Sequence, residues 1–246
     1  MSLPLAEPSA PVHAGGRAYV DAEVELRYLV LAPDRSLALE PSSRPRLLVF
    51  GDGSGRVLDR PIVPGDVAVL PAHAQPSLHA GPRGLDGFEI RPTGLGDRIG
   101  PPRVEARVAL APFHEELIIA PAARPFLLEG ALSLAEVLVP PGVTTSSHRL
   151  DVDERYLMLG GPATMHLAER PVAVGRGDVV RIPAGTLQHL RNHSPASVLR
   201  LYCLCTPPFR LAGYRPGPTV GHGPAGFSLD AWWDAHRASD PRGTTP

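Results

Sequence analysis

Residues 142–161 read GVTTSSHRLDVDERYLMLGG, and residues 177–192 read GDVVRIPAGTLQHLRN. In the first segment His148 precedes Glu154 by six residues, and in the second Gln188 follows a Pro-Ala-Gly turn. Alternate residues of a β-strand face the same side, and a closed barrel can bring two strands face to face. The two segments therefore predict a polar cluster of His148, Glu154 and Gln188 inside an apolar lining.

A weaker copy of the second segment lies 112 residues earlier in the chain. PGDVAVLPA at 64–72 matches RGDVVRIPA at 176–184 in five of nine positions. The same Gly-Asp turn, buried strand and Pro turn in the same order predict an internal duplication, with two similar β domains. In the first copy Pro76 stands at the position of Gln188, so no metal site is predicted there.

The composition favours an all-β protein. The 246 residues include 25 glycines and 30 prolines, which imply many turns and few long helices. Short apolar runs such as Arg46–Phe50 and Gly87–Arg91 are typical of strands. We expect four parts: a flexible N-terminal arm (1–17), an N-terminal barrel (18–105), a C-terminal barrel (106–215) and a C-terminal extension with a helix (216–246). The extension should begin its helix at Ser228 and pack a tryptophan face on the barrel.

The charges exclude several function classes. Basic residues number 24 and acidic residues 25, so the sequence gives no sign of a basic face. Nucleic acid is therefore not expected as a partner. All of the basic residues are arginines, which excludes a lysine Schiff base. The sequence contains no long apolar run, so no membrane span is predicted. Because the N-terminus also lacks the pattern of a signal peptide, a cytoplasmic location is expected. Cys203 and Cys205 are predicted to be buried free thiols.

The spacing of the two quoted segments resembles the two motifs of the cupin superfamily. The resemblance implies an all-β fold of two tandem cupin-type antiparallel β-barrels (jelly-roll) with a short C-terminal helix, a bicupin whose first barrel is degenerate. It rests on these residues: Gly142, His148, Glu154, Gly161, Gly177, Pro183, Gly185, Gln188 and Asn192.

The resemblance also implies one divalent metal ion, which would be Fe, Mn, Ni or Zn, in the C-terminal barrel. Its ligands would be His148, Glu154 and Gln188. Two histidine positions of the family are replaced here, by Leu150 and by Gln188, which offers only a neutral amide oxygen. Since one imidazole, one carboxylate and one carboxamide fall short of a strong ligand set, we expect the ion to be weakly held.

Two functions follow from this pattern. The first is a small-molecule enzyme, an isomerase, cyclase, lyase or dioxygenase, which uses His148 and Glu154 with or without a metal and Tyr156 as a further catalytic residue. The alternative is a non-catalytic, metal-free bicupin that binds a ligand or serves as a scaffold. In both cases the partner is a small molecule, and a homodimer is compatible with the resemblance.

Polar residues near the motif have simpler explanations. Strand alternation turns His189 away from the face of Gln188, although a register slip of one residue would make His189 the ligand. Asn192 is predicted to bond to a turn backbone. Asp151 and Asp153 are expected to be turn acids, and either could supply a missing ligand.

Overall fold

The computed structural model describes residues 18–94, 99–106, 111–113, 117–121, 132–168, 170–220 and 223–237. The predicted N-terminal arm lies outside these ranges. The described residues fall into two compact units, an N-terminal one from 18 to 106 and a C-terminal one that begins at 111. None of their helices is long and apolar enough to cross a membrane.

The described part of the N-terminal unit forms one antiparallel sheet. Its spatial order is β1-β2-β7-β4-β6-β8, while β3 pairs with β7 and β5 pairs with β4. The strands are β1 (Ala18–Val20), β2 (Val24–Leu31), β3 (Ser36–Ala38), β4 (Arg46–Val57), β5 (Arg60–Ile62), β6 (Val67–Leu70), β7 (Ser77–Pro92) and β8 (Arg103–Glu105).

Two of these strands are longer than the apolar runs predict. β4 continues past Phe50 to Val57, and β7 begins ten residues before Gly87. Gly53, with a φ of 90°, allows this because a Cβ there would lie 2.1 Å from the carbonyl oxygen of Gly84 on β7. Apolar content marks the buried part of a strand, whereas glycine lets the pairing continue beyond it.

The described part of the C-terminal unit forms two antiparallel sheets. The six-stranded sheet has the order β16-β13-β18-β11-β10-β9, and the five-stranded sheet has the order β15-β14-β17-β12-β19. The strands are β9 (Ala111–Phe113), β10 (Leu117–Pro121), β11 (Ser133–Val139), β12 (His148–Arg149), β13 (Asp153–Met158), β14 (Ala163–Leu167), β15 (Arg170–Val174), β16 (Val179–Ile182), β17 (Gln188–Asn192), β18 (Leu199–Thr206) and β19 (Arg215–Pro216).

An apolar core fills the space between these two sheets. Both sheets contribute to it, with Met158 and Leu201 from the six-stranded sheet and Met165 and Leu190 from the five-stranded sheet. Each of these four side chains is almost fully buried. The C-terminal unit is therefore a β-sandwich of the jelly-roll kind, whose interior can hold a site.

The repeated Gly-Asp turn has a physical reason in both units. Gly65 and Gly177 adopt φ values of 91° and 86°, which favour glycine. The next residue closes the turn, because Asp66 accepts a hydrogen bond from the Val63 amide and Asp178 accepts one from the Gly175 amide. The duplicated motif thus encodes the same turn twice.

The predicted C-terminal helix is confirmed. Helix α1 spans Leu229–Arg237, and Ser228 precedes it with its hydroxyl 3.4 Å from the Ala231 amide. Leu229 and Trp233 are buried and pack with Leu138 of β11. The helix covers an outer part of the C-terminal unit by its tryptophan face.

Candidate active site in the C-terminal unit

A buried hydrogen bond joins the two sheets of the C-terminal unit. Glu154 lies on β13 and Gln188 lies on β17, in opposite sheets. Gln188 Nε2 donates to Glu154 Oε2 at 2.7 Å, and the two residues are 1% and 4% exposed respectively. Because the bond crosses from one sheet to the other, both side chains point into the interior.

His148 belongs to the same inner surface. β12 pairs with β17 so that His148 lies directly opposite Gln188, which places the two Cβ atoms about 5 Å apart on one face. His148 Nδ1 lies 3.0 Å from the carbonyl oxygen of Ser146, to which it donates, so the lone pair of the neutral ring is on Nε2. The ring stacks on Tyr214 with the centroids 5.0 Å apart. The structure thus brings together the three residues that the motifs predict, while their catalytic and metal-binding roles stay predictions.

Gln188 carries a buried acceptor that has no hydrogen-bond partner among the residues that the structure describes. Its amide nitrogen bonds to Glu154, but no described residue donates to its buried Oε1 atom. An unsatisfied buried acceptor costs about 1–3 kcal/mol. A ligand that brings an O–H or N–H group to this oxygen would remove that cost.

Two thiols, those of Cys203 and Cys205, lie beside Glu154. The spacing of the motifs does not predict this contact. β13 pairs with β18 so that Glu154 faces Cys205 and Tyr156 faces Cys203. Cys205 Sγ lies 3.8 Å from Glu154 Oε1, and Cys203 also donates to this carboxyl. The two-residue spacing of the cysteines showed that they share a face, but only the strand register shows which residue they face.

Burial dominates the ionisation of Glu154. Loss of water raises its pKa from 4.5 to about 7, although the hydrogen bond from Gln188 and those from the two thiols act to lower it. Burial also raises the pKa of Cys203 and that of Cys205 well above 9, so both thiols stay protonated near neutral pH. Glu154 can therefore gain and lose a proton near neutral pH while its thiol neighbours remain donors.

Tyr156 lies in the apolar core of the C-terminal unit. The residue is 7% exposed and packs among the core side chains. Its hydroxyl donates to the Cys203 sulfur, and burial followed by the charge of Glu154 raises the pKa of Tyr156 well above 10. The structure gives this hydroxyl a protein partner, and its predicted role as a proton donor to substrate stays a prediction.

The other polar neighbours point elsewhere. His189 stacks on His166 across the outer face of the five-stranded sheet, with ring centroids 4.3 Å apart, which confirms the predicted register. Asp153 accepts hydrogen bonds from the Ala184 amide and from Arg181. Asn192 donates to the backbone carbonyl oxygens of Val139, Pro140 and Ser197, which confirms its structural role.

The equivalent place in the N-terminal unit holds an ion pair. Arg46 pairs with Leu70 in the N-terminal unit, and Glu154 pairs with Ile182 in the C-terminal unit. Because Ile182 follows Leu70 by the 112 residues of the repeat, Arg46 occupies the position that is equivalent to Glu154. Arg46 Nη1 bonds to Glu89 Oε1 at 2.8 Å, and the two side chains are 0% and 1% exposed. Arginine and carboxylate thus neutralise each other where the C-terminal unit keeps an acid.

The donor set does not fit a tight divalent metal centre. Among the residues that the structure describes, no three His, Cys, Asp or Glu side chains form a group that could hold a metal ion. Both oxygens of Glu154 already accept hydrogen bonds, from Gln188 and from Cys205. Gln188 turns its NH₂ group toward that carboxyl, and the thiols are protonated, whereas Fe, Mn, Ni and Zn sites use three or more deprotonated or imidazole ligands.

Solved structures resemble the chain over most of its length. An oxalate decarboxylase from Bacillus subtilis matches with a TM-score of 0.62 at 13% identity, over 98% of this chain and 84% of its own. An IolB-like protein from Salmonella typhimurium gives 0.65 at 17% identity, over 87% and 97%. AerE from Microcystis aeruginosa gives 0.60 at 13% identity, over 82% and 97%.

These neighbours are cupin-type proteins. The chain has a tandem cupin fold. The predicted fold class is confirmed, and at this level of identity the likeness extends to the fold alone. No protein-family model and no curated protein sequence matches the chain. Among the cupin neighbours, the Bacillus subtilis oxalate decarboxylase is an enzyme with Mn(II) centres.

Proposed function

We propose that the C-terminal cupin unit is a small-molecule enzyme in which Glu154 transfers a proton at a carbon next to a carbonyl group. The observation that carries the proposal is a buried carboxyl with a pKa of about 7, held from the opposite sheet by Gln188. A general acid–base group works best when its pKa is near the working pH. The cupin neighbours include enzymes, which supports a catalytic reading of the same fold.

The reaction assigns a separate task to each side chain. The ionised Glu154 takes the proton from carbon, the C–H bond breaks, and its electron pair moves toward the carbonyl oxygen. The same carboxyl then returns the proton to carbon or oxygen, so the ionised carboxylate is regenerated for the next turnover. Gln188 Oε1 accepts a hydrogen bond from the substrate, and His148 is the second group that can carry a proton. The proposed reaction uses no metal ion, because the donor set of His148, Glu154 and Gln188 does not fit one.

Hydrogen exchange tests this function directly. The protein is incubated in D₂O with dihydroxyacetone, glyceraldehyde and pyruvate, and proton NMR follows the loss of the C–H signals. We expect exchange by the wild type with at least one probe, and a loss of about 100-fold or more with Glu154→Gln. The Asp153→Asn variant is the matched control, since Asp153 bonds to Arg181 on a half-exposed edge.

Two results would lead to other conclusions. Binding of a probe without exchange, seen by ligand-detected NMR, would favour the alternative of a non-catalytic ligand-binding bicupin. Stoichiometric Mn or Zn in purified, untagged protein that is lost in His148→Ala would contradict the metal-free reading. Elemental analysis before and after loading with each ion decides that point.

A further inference from the structure

Both oxygens of the Glu154 carboxyl are held by side chains from neighbouring strands. Gln188 donates to Oε2 at 2.7 Å from the opposite sheet, and Cys205 Sγ lies 3.8 Å from Oε1 on the adjacent strand. Cys203, two residues away on the same face, donates to the same carboxyl and accepts from Tyr156. The carboxyl is therefore fixed in one orientation by groups that all carry no charge.

We propose that Cys203 and Cys205 are positioning residues, whose thiols hold the Glu154 carboxyl in the orientation that Gln188 completes. The geometric part of this inference stands on the register of β13 and β18, in which Glu154 faces Cys205 directly. Its catalytic consequence rests on the function proposed above. The cysteines are then neither nucleophiles nor metal ligands but hydrogen-bond donors.

The duplicated unit shows why neutral donors suit this position. At the equivalent place Arg46 holds the Glu89 carboxylate at 2.8 Å with both side chains buried. A buried arginine favours the ionised form of a carboxylate strongly and would prevent it from carrying a proton. A thiol is a weak, uncharged donor, so it can orient Glu154 without fixing the carboxyl in the ionised form.

The infrared S–H stretch tests the hydrogen bonds themselves. The chain contains only two cysteines, so Cys203→Ala leaves the band of Cys205 and Cys205→Ala leaves the band of Cys203. At mildly alkaline pH we expect each band to lie below that of the unfolded chain, because a hydrogen-bonded S–H stretches at lower frequency. Glu154→Gln should move both bands up. Bands that do not respond to Glu154→Gln would overturn the proposal, whatever the outcome of the exchange assay.

The conservative and truncating variants separate positioning from packing. Cys205→Ala removes the donor, so we expect kcat for proton exchange to fall about threefold to tenfold with little change in KM. Cys205→Ser keeps a donor and should restore most of kcat. Val152→Ala, a truncation in the apolar cluster that contains Cys205, is the packing control and should lower stability without moving the S–H bands. Equal losses in Cys205→Ala and Cys205→Ser would contradict a positioning role.

Discussion

Replacing Glu154 with glutamine should remove a pH-dependent loss of stability. The folded protein holds the Glu154 proton more tightly than the unfolded chain, because burial raises the pKa from 4.5 to about 7. Below pH 4.5 Glu154 is protonated in both states and does not lower the free energy of unfolding. As the pH rises from 4.5 toward 7, the unfolded chain loses this proton first, so the free energy of unfolding falls. The full rise in pKa corresponds to about 3 kcal/mol, since one pKa unit is 1.36 kcal/mol. Between pH 5 and pH 8 the wild type should lose about 2.5 kcal/mol relative to Glu154→Gln.

Tryptophan fluorescence during urea unfolding measures this difference, because it reports on the C-terminal unit that contains Glu154. Both tryptophans of the chain, Trp232 and Trp233, lie on α1, whose buried face packs with Leu138 of the C-terminal unit. The free energy of unfolding is measured for both proteins at half-unit steps from pH 5 to pH 8. Subtraction of the two curves cancels every titration that they share.

Asp153→Asn provides a matched control, because its difference from the wild type should stay constant between pH 5 and pH 8. The pKa of Asp153 is lowered, because bonds from the Ala184 amide and Arg181 outweigh the effect of burial, which raises it. That stabilisation is present above the ordinary pKa of 3.8 and is lost as the pH falls through the lowered value. The reasoning is refuted if the difference between wild type and Glu154→Gln stays flat from pH 5 to pH 8, or if it grows toward low pH.

Three further perturbations have defined outcomes. Gln188→Leu removes a donor to the ionised carboxyl, so the pKa of Glu154 should rise above about 7, and the fall in stability, which still begins near pH 4.5, should extend to higher pH in the same unfolding assay. Arg46→Met should cost about 3 kcal/mol in urea unfolding followed by circular dichroism, whereas Arg103→Met in a half-exposed pair should cost less than about 1 kcal/mol; equal costs would contradict the role of burial. Asn192→Ala leaves three carbonyl oxygens without their donor and should cost about 3 kcal/mol, and a neutral result would contradict its structural role.

Local patterns predicted the parts of the fold that depend on local chemistry. The Gly-Asp turn recurs because only glycine adopts the positive φ without strain and because the aspartate closes the turn beside it. Serine before an apolar helical stripe predicted α1. The extra length of β4 was missed, since its glycines pair through the backbone and leave no apolar signal in the sequence.

The sequence by itself determined the cupin-like spacing, the phase of the strands in the two motif segments and the three polar residues that point inward. Strand phase follows from the two-residue period of a single segment, so it can be read without a partner. Only the tertiary structure decided which strands pair and in which register. That register puts Cys205 against Glu154 and Arg46 in the equivalent place of the first unit. It also removes the water around Glu154, and this burial, a property of the packed sandwich and not of any segment, sets the pKa near 7.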